Sequence, residues 1–203
     1  MLTRKGAATR ARIIEATAEL VAAKGAADTC LDDIRAATST SKSQLFHYFP
    51  DGKAELLLAV AHDQARKVLD DQRPLLDNLD TWEAWEQWGA LILAIYTPKL
   101  EYCPLTALTS QFSRKDPRIR TLITDLFDQW RDHLARGLRT MRAAGLLAAD
   151  ADPDTLALAV LASLQGGVIM GQTTGSVIPL EVAIEAALHH LRTYAATASS
   201  PAA

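Results

Sequence analysis

Polar side chains that can bind nucleic acid are concentrated in one short stretch of the chain. The stretch offers hydroxyl, ammonium, amide, imidazole and phenol groups, from Thr40, Ser41, Lys42, Gln44, His47 and Tyr48. A glutamine amide can hydrogen-bond adenine through two atoms, so Gln44 is the candidate for reading a base. Lys42 and Tyr48, with Lys53 further along, are expected to contact phosphates, which fix the register of a protein on DNA without reading its sequence.

Two short helices joined by a tight polar turn are predicted around these side chains. Leu31, Ile34 and Ala37 recur at helical spacing and predict the first helix. Ser41 followed three residues later by Gln44 is the pattern of a capping box, which predicts that a second helix begins there. Helix, turn and helix at these lengths match the helix-turn-helix motif, whose second helix enters the major groove of DNA.

A longer helix is predicted upstream of this motif. Its apolar residues follow a helical period from about Thr9 to Lys24, and Gly25 is placed to end it. Residues 1–8 are predicted to form a loose basic arm. Asp28 or Thr29 is expected to cap the next helix, and Thr29 could add a phosphate contact from that helix N-terminus.

Residues 9–56 resemble the DNA-binding domain of the TetR family of bacterial transcriptional regulators. The resemblance is carried by Arg12-Ile13-Ile14-Glu15-Ala16, Lys24-Gly25, Asp33-Ile34 and Leu45-Phe46-His47-Tyr48-Phe49 at these separations. One position departs from the family pattern, because Ser39 stands in the turn where the family usually has glycine. If the turn keeps its usual shape, Ser39 needs a positive φ, which a residue with a Cβ adopts at a cost of about 1–2 kcal/mol.

No run of alternating β-branched residues occurs, which predicts an all-α protein of about nine helices, and the resemblance implies that they form two parts. Residues 1–51 would form the helix-turn-helix domain, and residues 52–203 would bind a small effector and join two copies of the chain. Such a homodimer places two recognition helices about one DNA turn apart, roughly 34–36 Å, on a palindromic operator. The expected function is that of a repressor that a small, mainly hydrophobic effector releases from double-stranded DNA.

Proline and glycine signals divide the remainder of the chain into helices. A long helix over about 53–73 is expected to link the DNA-binding part to the body. Asp80 is predicted to cap the next helix, and Asp116-Pro117 and Asp152-Pro153 are typical helix starts, with aspartate as N-cap and proline at the first helical position. The predicted helices cover about 81–97, 105–113, 117–144, 155–170 and 179–196.

Aromatic and apolar side chains dominate the body and indicate where an effector would bind. Ligand pockets are mostly apolar with a few placed polar groups, which Gln165, Tyr96 and Trp130 could supply. The resemblance implies an effector site among Trp85, Trp88, Ile92, Tyr96, Tyr102, Cys103, Leu108, Phe112, Phe127, Trp130 and Gln165. The alternative for each of these residues is an ordinary place in the core. Cys103, followed by proline, could also sense oxidants or electrophiles, although a buried thiol is more often inert.

The last two long helices are rich in small side chains and are predicted to form a dimer seam. Small residues let helices approach closely, and these two helices carry Ala157, Ala159, Ala162, Gly166, Gly167, Ala183, Ala186 and Ala187. Their apolar stripes exceed what a thin body can cover, which indicates an exposed apolar face. Packing within one chain is the alternative.

Composition and charge agree with a soluble, cytoplasmic protein. The 203 residues are 49% hydrophobic with a net charge of −3, divided as +2 over residues 1–50 and −5 over the rest. Two cysteines suit a reducing cytosol, and no apolar signal region opens the chain. The longest apolar run, Leu156 to Met170, is too short to span a bilayer and is predicted to be a buried helix.

Two other classes of function compete with a regulator. A small-molecule-binding helical enzyme would have to rest on Asp132-His133 alone, because no nucleophile elbow, phosphate loop or dinucleotide fingerprint occurs. A DNA-binding protein without an effector would not need a tryptophan-rich body. The histidines lack the spacing of a metal site, so neither a metal nor another cofactor is expected.

Overall fold

Eight α-helices account for most of the part of the chain that is described. The computed structural model describes residues 3–100, residue 106 and residues 116–196. The helices are α1 (Arg4–Lys24), α2 (Leu31–Thr38), α3 (Lys42–Tyr48), α4 (Lys53–Asp70), α5 (Trp82–Tyr96), α6 (Pro117–Ala143), α7 (Pro153–Thr174) and α8 (Ile178–Arg192). Short 3-10 turns occupy Leu75–Asp77 and Thr97–Lys99. The predicted all-α class is confirmed; of the predicted helix over 105–113, only residue 106 is among the described residues, where it is helical.

The first helix begins earlier than its apolar period indicates. Thr3 caps it, since its hydroxyl oxygen accepts a 3.1 Å hydrogen bond from the backbone N–H of Gly6. The prediction of a loose arm is therefore wrong from Arg4 onward, because the capped start extends α1 by five residues, Arg4 to Ala8, in spite of Gly6. Gly25 ends the helix with φ 85°, as predicted.

Two predicted helix caps are displaced by one or two residues. Cys30, not Asp28 or Thr29, caps α2: its Sγ accepts from the N–H of Asp33 at 3.4 Å, and the Asp33 carboxylate accepts from the N–H of Cys30 at 2.8 Å. Thr81, not Asp80, caps α5 by accepting from the N–H of Ala84 at 3.1 Å. In both places the residue next to the predicted cap has the extended backbone that an N-cap requires.

The two Asp-Pro helix starts are confirmed. Oδ1 of Asp116 accepts a 2.9 Å hydrogen bond from the N–H of Arg118 at the start of α6. Oδ1 of Asp152 accepts a 3.2 Å bond from the N–H of Asp154 at the start of α7. Each side chain satisfies a backbone donor that the first turn of a helix leaves free.

The chain divides into two compact units. Residues 3–68 and 116–126 belong to the first, and residues 69–100 and 127–196 belong to the second. The predicted boundary after residue 51, which separates a DNA-binding from an effector-binding part, stays a prediction. The core of the first unit packs α1 to α4 together through Ile13, Val21, Ile34, Leu45, Phe49, Leu56 and Val60, all at most 1% exposed.

In the second unit, α7 packs closely against α8 at its small residues. A Cβ added to Gly167 would lie 2.8 Å from Cβ of Ala183 and 2.9 Å from Cα of Leu180. A Cβ on Gly137 would lie 2.5 Å from the backbone oxygen of Leu79. The close contact between α6 and the chain at Leu79 therefore requires glycine at this position. Some of the small residues assigned to a dimer seam therefore serve packing within one chain.

Helix α7 extends beyond the apolar run that predicted it. Its 22 residues are long and apolar enough to cross a membrane by length and composition, a test that the core helix of a soluble protein also passes. Leu156, Val160, Leu164 and Val168 are at most 3% exposed, so this side of the helix is buried as predicted. Less than half of its most apolar stretch is buried within the chain, which leaves apolar surface on the other side.

Candidate nucleic-acid interface

The turn between α2 and α3 has the shape that the sequence predicts despite its missing glycine. Ser39 has φ 51° and ψ 37° and is the one non-glycine residue with positive φ in the described part of the chain. The N–H of Thr40 donates to the carbonyl of Arg35 at 3.1 Å, the bond that typically closes a helix ending in a left-handed residue. The prediction of a positive φ at Ser39 is confirmed.

Two buried threonines hold the turn from inside. Thr38 and Thr40 are 1% and 4% exposed. The hydroxyl of Thr40 donates to the hydroxyl oxygen of Thr38 at 2.7 Å, and that of Thr38 donates to the carbonyl of Ile34 at 2.7 Å. Burying hydroxyls is favourable only when they are bonded in this way, so the pair fixes the path of the chain into α3.

The capping box at the start of α3 is confirmed. Oγ of Ser41 accepts from the N–H of Gln44 at 3.1 Å, and Oε1 of Gln44 accepts from the N–H of Ser41 at 3.2 Å. The box stabilises a helix of only seven residues, which is otherwise too short to persist. Leu45, 1% exposed, anchors the inner side of α3 in the core.

The outer side of α3 presents most of the predicted polar set together. Ser41, Lys42, Gln44 and His47 are exposed, and Tyr48 is half-buried. The rings of His47 and Tyr48 meet edge to face with centroids 5.0 Å apart. A single short helix thus carries an ammonium, an amide, an imidazole and a phenol on accessible surface.

Three other predicted DNA contacts are placed differently. Thr29 is 0% exposed and its hydroxyl donates to the carbonyl of Gly25 at 2.8 Å. The expectation that Thr40 faces outward is wrong, because its hydroxyl is used inside the turn. Nζ of Lys53 donates to the carbonyl of Ala27 at 3.0 Å, so this ammonium already has one acceptor. Lys53 as a whole is half-buried at the start of α4.

Arg35 is a candidate that sequence reasoning missed. It lies with Asp32, Ser39, Thr40 and Ser41 around an open cleft of about 430 Å³ at the turn. One Nη atom of Arg35 donates to Asp32 at 2.7 Å, while its Nε is buried with no hydrogen-bond partner. The sequence did hold a signal for Arg35. It lies three residues after Asp32, in the last turn of α2, and that turn directly precedes the predicted recognition helix.

An ion pair joins the other end of α2 to α1. Nζ of Lys24, in the last turn of α1, lies 2.5 Å from Oδ2 of Asp33. Hydrogen bonding to Cys30 and then to Lys24 holds the pKa of Asp33 well below its usual value. The carboxylate therefore stays ionised at the N-terminus of α2, where negative charge is favoured.

The residues predicted to bind an effector are mostly buried. Trp85, Trp88, Ile92, Tyr96 and Trp130 are at most 7% exposed, whereas Phe127 and Gln165 are half-buried. The remaining four lie outside the described residues: Tyr102, Cys103, Leu108 and Phe112.

Two of the three buried indoles have their N–H groups bonded within the chain. Nε1 of Trp85 donates to the carbonyl of Leu79 at 3.0 Å, and Nε1 of Trp88 donates to Oε1 of Gln72 at 2.9 Å. Nε1 of Trp130 is buried and has no acceptor among the residues that the structure describes. The apolar cavity beside Trp88 holds only about 10 Å³, which is room for at most about one water molecule, so an effector does not fit there.

The histidine of the enzyme alternative does not pair with its neighbour. Nδ1 of His133 lies 3.1 Å from Oδ1 of Asp77, without the geometry of a hydrogen bond, and Asp132 is paired with Arg131 at 3.3 Å. Burial, then the charge of Arg136, lowers the pKa of His133. Within the described residues, no group of three or more histidine, cysteine or acidic side chains could hold a metal ion.

The fold and this turn define an all-α helix-turn-helix DNA-binding protein. The family profile described as bacterial regulatory proteins, tetR family, matches residues 13–60, and that described as tetracyclin repressor-like, C-terminal domain, matches residues 98–187. The two matches together span more than half of the chain. The chain belongs to the TetR family and is a transcription regulator, not an enzyme.

Relatives from several bacteria agree with this assignment. An uncharacterized HTH-type transcriptional regulator of Lactococcus lactis subsp. lactis is 28% identical over 183 residues, which cover 85% of this chain and 88% of that protein. One of Mycobacterium tuberculosis (strain CDC 1551 / Oshkosh) is 22% identical over 184 residues, or 85% and 89% of the two chains. The crystal structure of a TetR transcriptional regulator from Chloroflexus aurantiacus J-10-FL matches with a TM-score of 0.81 at 25% identity, over 97% of this chain and 100% of that one.

Proposed function

We propose that this protein is a one-component cytoplasmic repressor that binds a palindromic operator as a homodimer and is released by a small effector. The observation that carries the DNA-binding part is the exposed polar side of α3, held by a capping box behind a fixed turn. A recognition helix needs this combination, because base contacts require side chains on a backbone that does not move.

The proposed contacts are divided between phosphates and bases. Lys42 is exposed at the first position of α3, and Arg35 borders the cleft beside it, so both cations are placed for phosphates. Gln44 lies two residues further along α3 and is the proposed base reader. Tyr48 and His47 would extend this contact towards the end of the helix. Thr29 and Thr40 are buried with their hydroxyls bonded inside the chain, so their roles are structural.

A second copy of the chain is the proposed partner of the outer face of α7 and α8. Large apolar side chains are 55–62% exposed there, at Leu158, Ile169, Met170, Ile178 and Val182. A shallow groove of about 440 Å³ runs beside Val182 along α8. Apolar surface of this extent is favourable only when covered, and self-association covers it on both copies at once.

The proposed effector is small, mainly apolar and uncharged, with one hydrogen-bond acceptor. The unpartnered N–H of Trp130 supports the acceptor, because a buried donor without a partner costs about 1–3 kcal/mol that a ligand oxygen would recover. Gln72 is the one fully buried polar or charged residue in the described part of the second unit, which favours an uncharged ligand. The effector releases DNA only if it binds one state of the dimer more tightly than the other.

Selection from a random duplex library with the full-length protein tests the DNA-binding proposal. The expected result is an inverted repeat with half-sites about one helical turn apart, roughly 34–36 Å. Binding without any sequence preference would contradict it and favour an architectural protein. Adding an apolar ligand panel to the selected complex then tests release, which the architectural alternative does not predict.

A further inference from the structure

Helix α1 is bonded to the helix-turn-helix at three points. Besides the ion pair of Lys24 with Asp33 at the start of α2, one Nη atom of Arg12 donates to the carbonyl of Thr38 at 2.6 Å. The guanidinium carbon of Arg10 lies 5.1 Å from the ring centroid of Phe49, at the end of α3. Each contact joins α1 to a terminus of one of the two short helices.

The contact of Arg12 falls at the point where the turn is most constrained. Thr38 is the last residue of α2, and its carbonyl directly precedes Ser39 in the left-handed conformation. A carbonyl at a helix C-terminus lacks an intrahelical donor, and a cation there is favoured by the helix dipole. Because Ser39 carries a Cβ, its left-handed conformation costs more free energy than that of a glycine would. A bond from outside the turn, such as that of Arg12, offsets part of this cost.

We propose that Arg12 is a positioning residue for DNA recognition: its guanidinium holds the Thr38 carbonyl and thereby fixes the angle at which α3 leaves the turn. Thr40 completes the arrangement from inside, since its hydroxyl also approaches the Thr38 carbonyl at 3.3 Å. Arg12 acts through the backbone and not on DNA. The inference rests on the proposed function of α3 as recognition helix.

Two substitutions at one position and a matched control test this role. Arg12→Met removes the donor and keeps the aliphatic stem, and Arg12→Lys keeps one cationic donor. Arg4→Met removes the same charge from the same helix at an exposed residue. Binding to the selected operator and to unrelated DNA is measured well below each melting temperature, where every variant is fully folded.

Arg12→Met is expected to bind the operator about tenfold more weakly while its affinity for unrelated DNA stays unchanged, a loss of about 1.4 kcal/mol of specificity. Arg12→Lys should recover most of this loss, and Arg4→Met should keep the wild-type ratio of specific to unrelated binding. The dependence of log affinity on log salt should keep its slope in Arg12→Met. A slope smaller by about 0.9 with equal loss on both DNAs would instead identify a direct phosphate contact and overturn the proposal.

Amide hydrogen exchange separates a failure of this inference from a failure of the proposed function. Peptides covering residues 38–44 should exchange faster in Arg12→Met than in the wild type or in Arg4→Met. Unchanged exchange there would overturn the positioning role even if the wild type binds its operator. If the wild type showed no sequence preference for DNA, the proposed function would fall, and faster exchange would still establish that Arg12 holds the turn.

Discussion

Oε1 of Gln44 accepts a hydrogen bond from the backbone N–H of Ser41 at a distance of 3.2 Å. The atom that closes the capping box is thus one of the two atoms that a bidentate contact with adenine requires. Nε2 remains available, so Gln44 can donate to a base acceptor while the box is intact. Bidentate reading of adenine would require the box to open at this side.

Gln44→Glu separates capping from base reading. Glutamate keeps the acceptor that closes the box, so the free energy of unfolding should stay within about 0.5 kcal/mol of the wild type. It loses the donor, so the discrimination carried by this position, about 1–3 kcal/mol, should be lost or transferred to cytosine. Chemical denaturation and selection from a random library measure the two effects.

Gln44→Ala is the matched variant, since it loses both functions. Loss of one side of the box should cost about 0.5–1 kcal/mol of stability. If both variants selected the wild-type sequence, Gln44 would be a helix cap and not a base reader.

Ser39→Gly tests the strain of the turn. Glycine adopts φ 51° without the penalty of a Cβ, but it also adds conformational entropy to the unfolded chain. The net expectation is a stabilisation below about 1 kcal/mol, with operator affinity equal or better. Thermal melts beside Ser39→Ala check it, because alanine keeps the Cβ and removes only the hydroxyl. Clear destabilisation by glycine would show that the hydroxyl of Ser39 holds the turn.

Trp130→Phe removes a buried donor that has no partner. Relief of the unsatisfied N–H offsets part of the lost ring volume, so stability should fall by no more than about 1 kcal/mol. Affinity for an effector that releases DNA should fall about tenfold, or about 1.4 kcal/mol, if its acceptor bonds to this atom. Thermal melts and titration of tryptophan fluorescence give the two quantities.

Trp85→Phe is the control for this prediction, because Nε1 of Trp85 donates to the carbonyl of Leu79. The same change there leaves a buried carbonyl unpaired and should cost about 1–3 kcal/mol more than at Trp130. Equal destabilisation by the two substitutions would contradict the view that Trp130 lacks a partner in the free protein.

Val182→Glu tests the dimer face. Val182 is 58% exposed on α8, so a glutamate is tolerated in a monomer, whereas in a covered seam it would bury an unpaired charge at a cost of several kcal/mol. Sedimentation analysis should show a monomer for this variant and a dimer for the wild type and for Gln129→Glu, an exposed position of α6. Operator affinity should fall together with dimerisation. A dimer of unchanged stability would place the seam elsewhere.

Local signals in the sequence predicted the elements that depend on neighbouring residues. The box of Ser41 and Gln44 joins residues three apart. The positive φ of Ser39 was predicted from the family resemblance, and the bond that closes its turn joins Thr40 to Arg35, five residues apart. Arg12 and Thr38 lie 26 residues apart, and only packing of α1 on α2 brings them together. Thr40, polar beside an exposed helix, was predicted to face outward but lies inside, where its hydroxyl bonds to that of Thr38.

A cap made by a weak acceptor and the partners of buried donors were equally beyond the sequence. A thiol is a poor acceptor, so Cys30 gave no signal as an N-cap beside Asp28 and Thr29. Nothing in the sequence distinguishes the indole N–H of Trp130 from that of Trp85. Only the fold shows that one N–H finds a carbonyl and the other does not.

Stability at mildly acidic pH should depend on His133, which faces charges from three elements. Arg136 and Asp132 lie on its own helix, Asp77 lies on the 3-10 turn, and Arg73 lies just beyond the end of α4. Burial is the largest influence and opposes the charged form, and the carboxylates only partly offset it. The pKa of His133 is therefore lower in the folded protein than its ordinary value of 6.5.

The sign follows from proton linkage. As the pH falls through the ordinary pKa, the unfolded chain takes up a proton at this histidine while the folded chain does not, so the free energy of unfolding decreases. His133→Gln removes this titration, and the stability advantage of the wild type over the variant should shrink between pH 7.5 and pH 5.5, on the order of one pH unit either side of the ordinary value. Asp77→Asn removes the opposing carboxylate and should steepen the loss. Denaturant unfolding at a series of pH values measures all three proteins, and a constant difference between wild type and His133→Gln would show that His133 is as readily protonated folded as unfolded.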